Sequence, residues 1–271
     1  MALTTLNTVK AWLNVNTTTD DLLLTRLITQ ISGATLNYLA RPAITQETYT
    51  ELRDGVGNNR LVLRNWPVIS ITSLTVGSQT IPQATTLTSS GYTLATWDGT
   101  SAGLPQEITL RGYQFCRGRS NIQIVYQAGY VIQNEPQTVP STTPYSLNVD
   151  APYGSWAQDE GVTYTNGTPL TAVTSSPTVG QYTVTSDGAG NAIYTFSSSD
   201  SGEGILISYS FTPADLEQAV LEWIGERYKY KDRIGQTTRG LGGSETAGYS
   251  LKGIPDYIQV VFDSYRKFLP L

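Results

Sequence analysis

Apolar residues recur at helical spacing over the first forty positions. Leu6, Val9, Trp12 and Leu13 share one face of a short helix that Thr5 can cap, and the polar run 14–18 breaks it. Thr19 then caps a longer helix with Asp20 and Asp21 in its first turn, where the helix dipole favours negative charge. Leu24, Leu27, Ile28, Ile31, Tyr38 and Leu39 form its apolar stripe, which reads as a core face, and Arg41-Pro42 ends it.

From Glu47 to Ile132 the period drops to two. TYTEL, RLVLRN, VISITSLTV, QEITLRG and NIQIVYQAGY are β-branched and aromatic runs separated by turn residues. Five or so short antiparallel strands are expected, packed as a small sheet or barrel. Residues 133–210 keep the alternation but change in charge: they hold seven acidic residues and no Lys or Arg, so the segment carries −7 against +2 for the rest. A Pro-rich stretch, QNEPQTVPSTTPYS, opens the segment, and Asp187-Gly188 and Gly190-Asn191 signal a hairpin. A separate small β-sandwich is expected there, inserted into its host.

Helical spacing then returns. Thr212-Pro213-Ala214-Asp215 combines an N-cap, a first-turn proline and an acid at the third helical position. Leu216, Ala219, Val220, Trp223, Ile224 and Tyr228 form the apolar face of a helix expected to reach about Ile234 before Gly235 stops it. Arg227, Lys229, Lys231 and Arg233 give its end a basic stripe, which suits either DNA phosphates or an acidic partner, or else a solvated face paired with Glu226 and Asp232. Residues 235–253 read as a long glycine-rich loop, and a loop of that length without structure of its own is usually functional or disordered. Pro255 starts a final helix, with Tyr257, Ile258, Val261, Phe262, Tyr265 and Phe268 on one face, expected to run to Leu271.

Composition narrows the chemistry. The 271 residues contain no His, so Ser-His-Asp and Cys-His systems, His general bases and His-ligated zinc are excluded. A single cysteine, Cys116, forbids an internal disulfide or a Cys-based metal site, and its expected role is that of a small buried hydrophobe. The net charge of −5 argues against a whole-chain nucleic-acid footprint. Charged residues are only 14% of the chain, well below the usual quarter or so, and an uncharged, β-rich surface of this kind suits assembly. Neither a signal-peptide pattern nor a run of eighteen apolar residues occurs, so a soluble chain made in a reducing cytosol is expected.

Candidate sites are few. Gly240-Leu241-Gly242-Gly243 follows a helix rather than a strand and lacks the Lys-Ser or Lys-Thr of a phosphate loop, so no nucleotide site is read from it. Asp159 and Glu160 are the one acidic pair beside an aromatic residue, Trp156, but neighbours on a strand point to opposite faces and do not converge. No catalytic residue, metal ligand or cofactor is therefore assigned, and the chain is not expected to be an enzyme. Tyr153, Trp156 and Tyr164 offer an alternative role for the insert, a carbohydrate-binding or adhesion surface on which sugar rings stack.

Four stretches in order carry a resemblance: LNTVKAWLNV followed by TTDDLLLTRLITQISGATLNYLARP; ELRDGVGNNRLVLRNWPVISITSLTV; PADLEQAVLEWIGERYKYKDRIG; and IPDYIQVVFDSYRKF. Together they resemble the head-tail adaptor, or connector and head completion, family of tailed bacteriophages. The resemblance implies an α+β fold with a four-helix adaptor domain and a small antiparallel β part, formed by residues 1–132 and 211–271; the inserted all-β domain 133–210 departs from the family pattern and leaves the resemblance intact. It also implies a homo-oligomeric ring, usually of twelve, in the virion beneath the portal protein and assembled in the host cytoplasm. Such a ring extends the DNA channel, passes genomic DNA without sequence-specific binding, and meets a tail terminator, a second connector or another tail protein, with no membrane involved. Contact with the portal or a neighbouring subunit would fall to Arg239, Tyr249, Tyr257, Tyr265, Arg266, Lys267 and Phe268, and the insert would lie outside the ring.

Overall fold

A computed structural model of the chain describes residues 1–96, 105–231, 238–242, 245–248 and 253–267. The chain opens with α1 (Leu6–Leu13) and α2 (Asp21–Leu39). Seven strands follow: β1 (Glu47–Gly55), β2 (Arg60–Val62), β3 (Val68–Val76), β4 (Gln79–Thr80), β5 (Gly91–Thr96), β6 (Pro105–Arg111) and β7 (Gly118–Ala128). Next come β8 (Val131–Thr138), β9 (Ser146–Asp150), β10 (Gly154–Tyr164), β11 (Thr171–Ala172), β12 (Gln181–Ser186), β13 (Asn191–Phe196) and β14 (Gly204–Pro213). The last described elements are α3 (Ala214–Tyr230), β15 (Thr238–Gly242), β16 (Glu245–Gly248) and α4 (Asp256–Tyr265). The fold is mixed α+β.

Helix ends follow local chemistry. Thr5 caps α1 as its spacing predicts, its side chain accepting from the Thr8 amide, and Asn14 closes the helix in the left-handed region. Asp20, one residue later than expected, occupies the N-cap of α2. Pro213 and Pro255 stand at the N-caps of α3 and α4 rather than inside them, still using their fixed φ to launch each helix. The final helix stops at Tyr265, where Arg266 turns extended and the Lys267 amide donates to the Leu39 carbonyl at 2.8 Å. Docking onto the end of α2 thus replaces the helical continuation expected from sequence, and residues 268–271 lie outside the described set.

Two cores organise the chain. Sheets β1-β7-β3-β4 and β2-β6-β5 enclose the first, around Leu63, Leu74, Ile108, Phe115, Ile124 and Tyr126. Seven strands stand here where five or so were expected: the five runs named from sequence hold β1, β2, β3, β6 and β7, and the additions are β4, two residues long and too short to show a period, and β5. The second core joins all four helices to the sheets β10-β14-β8 and β11-β12-β13-β9. Leu24, Val220, Ile224 and Phe262 from the helices are buried in one cluster with Ile207 and Tyr209 of β14 and Tyr182 and Tyr194 of the facing sheet. Position 132/133, where the charge pattern changes, lies within β8, and β14 runs directly into α3.

Two further differences are local. Residues 238–242 and 245–248, read as loop, pair as the antiparallel strands β15 and β16, whose glycine-rich composition hides the strand signal. Cys116 is exposed, not a buried hydrophobe, since the neighbouring Phe115 takes the inward position. The hairpin at 187–191 forms between β12 and β13 as its glycines predict, with the Asp187 carboxylate accepting from the Ala189 and Asn191 amides.

Candidate functional site

An aromatic groove lies where the two cores meet. Gly129 and Tyr130 carry the chain from β7 of the first core to β8 of the second, and the Gly129 amide donates to the Pro67 carbonyl at 2.9 Å. Tyr130 stands 6.0 Å from Phe211 and 5.7 Å from Tyr265, while Tyr153 lies 6.2 Å from Phe211. Two adjoining apolar cavities of about 490 and 470 Å³ share Tyr130, Tyr153 and Phe211. One extends along Val68 and Val131; the other reaches Asp215 and Tyr265 at the start of α3 and the end of α4. The Tyr265 hydroxyl donates to Asp215, so burial and that carboxylate both push the phenol upward and keep it neutral.

Behind Tyr130 the groove rests on charge. Trp66 meets the Tyr130 ring edge-on at 6.2 Å, and the Arg41 guanidinium lies 4.3 Å from the Trp66 ring centroid. Burial pulls the Arg41 pKa down, with the neighbouring Tyr130, Tyr49 and Tyr126 opposing weakly. Tyr126 is itself pushed up by burial and by Glu51, to which its hydroxyl donates.

A second surface lies on the helices. Trp12, Leu13, Gly225, Lys229 and Tyr257 line a cleft of about 300 Å³, with Glu222 and Glu226 on its rim. A Cβ at Gly225 would stand 3.5 Å from Leu13 and 3.6 Å from Trp12, at ordinary van der Waals contact, so α1 lies close against α3 here. Trp12 remains 49% exposed and Tyr257 53%, unusual for large rings on a packed helical layer.

The residues singled out from sequence are distributed over these surfaces. Tyr265 lines the groove, Tyr257 lines the helical cleft, and Lys267 docks by its main chain on α2. Arg266 lies 5.5 Å from the Tyr38 ring. Arg239 is in β15, whereas Tyr249 and Phe268 lie outside the described residues. In the basic series, steps of two residues turn successive side chains about 200° around a helix, so no single stripe forms. Arg227 donates to the Gly253 carbonyl at 3.0 Å, Lys231 pairs with Asp20 at 3.2 Å, Lys229 lines the cleft, and Arg233 lies outside the described residues.

The three aromatic residues of the insert are not brought together. Tyr153 is 70% exposed at the groove, but the Trp156 indole donates to the Tyr194 hydroxyl at 3.2 Å. Tyr164 donates to Asp200 at 2.7 Å, and burial together with that carboxylate pushes its phenol up to about 12. Asp159 accepts from Tyr182 at 2.6 Å and Tyr194 at 3.0 Å, tying the two sheets of the insert together, while Glu160 accepts from Ser210. The pair diverges as its strand position requires. Sequence reasoning missed Arg41, Trp66, Tyr130 and Phe211, whose only local signal was an aromatic or charged residue beside a turn.

Comparison with known proteins decides the family. A family model described as "HCP: Head completion protein" matches residues 2–139, about half of the chain. The chain belongs to the head completion protein family. The matched stretch of this head completion protein takes in α1, α2 and the first core, and ends one residue beyond β8. It therefore contains Tyr130 of the groove, with Trp66 and Arg41 behind it, but not Phe211 or Tyr265. None of the curated proteins matches the chain. Among solved structures, a chain from "Neck of empty GTA particle computed with C6 symmetry" is loosely similar, at 13% identity and a TM-score of 0.39. That likeness covers 98% of this chain and 90% of the other.

Proposed function

We propose that the chain is a structural head-tail adaptor of the virion, a subunit of a homo-oligomeric ring seated beneath the portal. In this reading the ring, a dodecamer, extends the DNA channel and presents its far side to a tail terminator, second connector or other tail protein. Membership of the head completion family over residues 2–139 is the observation that carries it. The helices act as the four-helix adaptor domain, and residues 133–210 are a β module added to it on the outside of the ring, seated on the helices through the shared core. The role is one of binding and not of catalysis, in keeping with a sequence that lacks His and has one Cys. DNA passes the ring without sequence-specific contact, and the negative charge of each subunit discourages adhesion to it.

Disabling the chain's gene in the phage that encodes it tests this reading. DNA-filled heads and free tails that join once the purified chain is added are the expected result. Complete, infectious particles made without the chain would overturn it.

A further inference from the structure

One end of the first core carries a polar cleft beside cations that lack an acidic partner. Asn58, Asn59, Tyr113 and Gln114, with Gly57 and Gly112, line a cleft of about 480 Å³. Main-chain bonds of 2.8 Å from the Gly57 amide to Phe115, from the Phe115 amide to Asn58 and from the Leu110 amide to Asn59 hold its walls together. Both glycines have positive φ, +86° and +70°, where a side chain would be strained, so the main chain is open to close approach at those positions. The side-chain amides of Asn58, Asn59 and Gln114 are exposed and make no hydrogen bond among the described residues. Each offers two donors and an acceptor to whatever enters the cleft.

Arginines surround these amides. An added Cβ on Gly57 would lie 3.4 Å from Cγ and Nε of Arg117, so that side chain runs along the cleft, exposed and without an acid among the described residues. Arg119 is likewise exposed and unpaired among them. Arg60 follows Asn59 with 71% of its side chain exposed, and only its Nε stands near an acid, 3.5 Å from Glu107. Arg111, between Leu110 and Gly112, donates to the Thr86 and Leu87 carbonyls and keeps its charge. Against these stands Asp54, which accepts from the Ser120 amide at 2.6 Å. The stretch 97–104 joins β5 to β6 through Thr96 and Pro105, which pair at the other end of the strands from Gly91 and Arg111, roughly 17 Å away. β1 and β7 likewise pair from Glu47 and Ala128, beside the crossing between the cores, to Gly55 and Gly118, so the cleft stands at the end of the first core remote from that crossing.

We propose that this end of the first core is a sequence-independent contact for the DNA backbone, with Arg60, Arg117 and Arg119 facing phosphates and the amides of Asn58, Asn59 and Gln114 donating to their oxygens. Exposed, separated cations interleaved with neutral donors match a row of hydrated phosphates. A protein partner fits less well, since Leu110 alone among the described lining residues is aliphatic and offers no apolar pocket to anchor an interface. The net charge of −5 repels DNA from the rest of the surface, which confines the contact to this end and makes it sensitive to salt. The inference rests on the adaptor reading for the source of the DNA, the genome crossing the ring.

Fluorescence anisotropy of a labelled DNA duplex of about twenty base pairs, titrated with the full chain from about 20 mM salt upward, tests the contact. A saturable rise is expected, equal for two unrelated sequences, with a log–log salt slope of about −2 to −3. Arg60→Ala and Arg117→Ala should each weaken binding severalfold and make that slope shallower by about 1. Arg26→Ala, which removes an exposed charge from α2, should change neither. No saturable rise, an unchanged slope in both cleft variants, or an equal loss in Arg26→Ala would overturn the proposal. Tighter binding of a hexaglutamate peptide than of the duplex would overturn the choice of DNA and give these cations to an acidic protein. The readout needs no portal: a chain that loads onto portal rings but leaves the duplex free loses this contact and keeps the adaptor role, and one that binds the duplex but not the portal does the reverse.

Discussion

Single side chains show how the two sheets of the second core are joined and how that core responds to acid. Asp159 is the shared acceptor of two buried tyrosine hydroxyls from the opposite sheet. Asp159→Ala strands both donors and should cost about 2–4 kcal/mol in urea unfolding, against under about 0.5 kcal/mol if the network were incidental. Glu160 behaves in the opposite way. Burial holds its carboxyl above the usual range, Ser210 opposes this by hydrogen bonding, and the charges of Asp159 and Glu47 add to it. With the folded value raised, stability from this group is complete below the ordinary value near 4.5 and is lost as pH rises through the folded one. Glu160→Gln should therefore melt higher than the natural chain at about pH 7, with the gain gone by about pH 4. A gain that persists unchanged at the lower pH would contradict that account. The sequence placed these two acids on opposite faces through strand alternation alone, whereas their tyrosine and serine partners lie 23 to 50 residues away and left no local mark.

At the scale of elements, what could be read from sequence depends on how local the cause is. The stripes of α1, α2 and α3 were legible because Val9, Leu24, Ile28, Val220 and Ile224 repeat at the period of the helix that buries them. The early end of α4 was not, since it is fixed by the Lys267 amide reaching the Leu39 carbonyl across the fold. Glycine positions separate the two kinds of constraint. Gly33, within α2, has nothing within 4 Å of an added Cβ, so Gly33→Ala should stabilise the chain by about 0.5–1 kcal/mol. Gly129, at the crossing between the cores, has φ +152° and would place a Cβ 2.4 Å from the Thr45 carbonyl oxygen. Gly129→Ala should destabilise by roughly 1–3 kcal/mol, and thermal melts of the two variants in opposite directions would bear this out. Equal shifts would show that the crossing yields without strain.

Across the whole molecule, the charge pattern and the packing divide the chain differently. Residues 133–210 stand apart in composition, yet their sheets share a core with all four helices, and Thr5 and Glu217 on the helical side bond to Gly188 and Ser155 of the insert. Charge is a property of the surface and says little about which apolar faces meet, so the sequence showed the segment without showing its seat. Excising 133–210 should leave a chain without cooperative unfolding, because Leu216, Val220 and Ile224 lose their cover; a sharp, reversible melt of the remainder would contradict the shared core. The groove at the junction was equally hidden, as Tyr130, Tyr153, Phe211 and Tyr265 come from four separate stretches. Family membership, in contrast, was legible in short motifs, and the matched stretch 2–139 contains two of them. The adaptor role is tested most directly by light-scattering mass of the full chain mixed with portal rings from the phage that encodes it. A portal complex heavier by one complete ring of this chain is the predicted result, whatever the mass of the free chain. Portal rings that keep their own mass at every ratio of the two proteins would contradict the account.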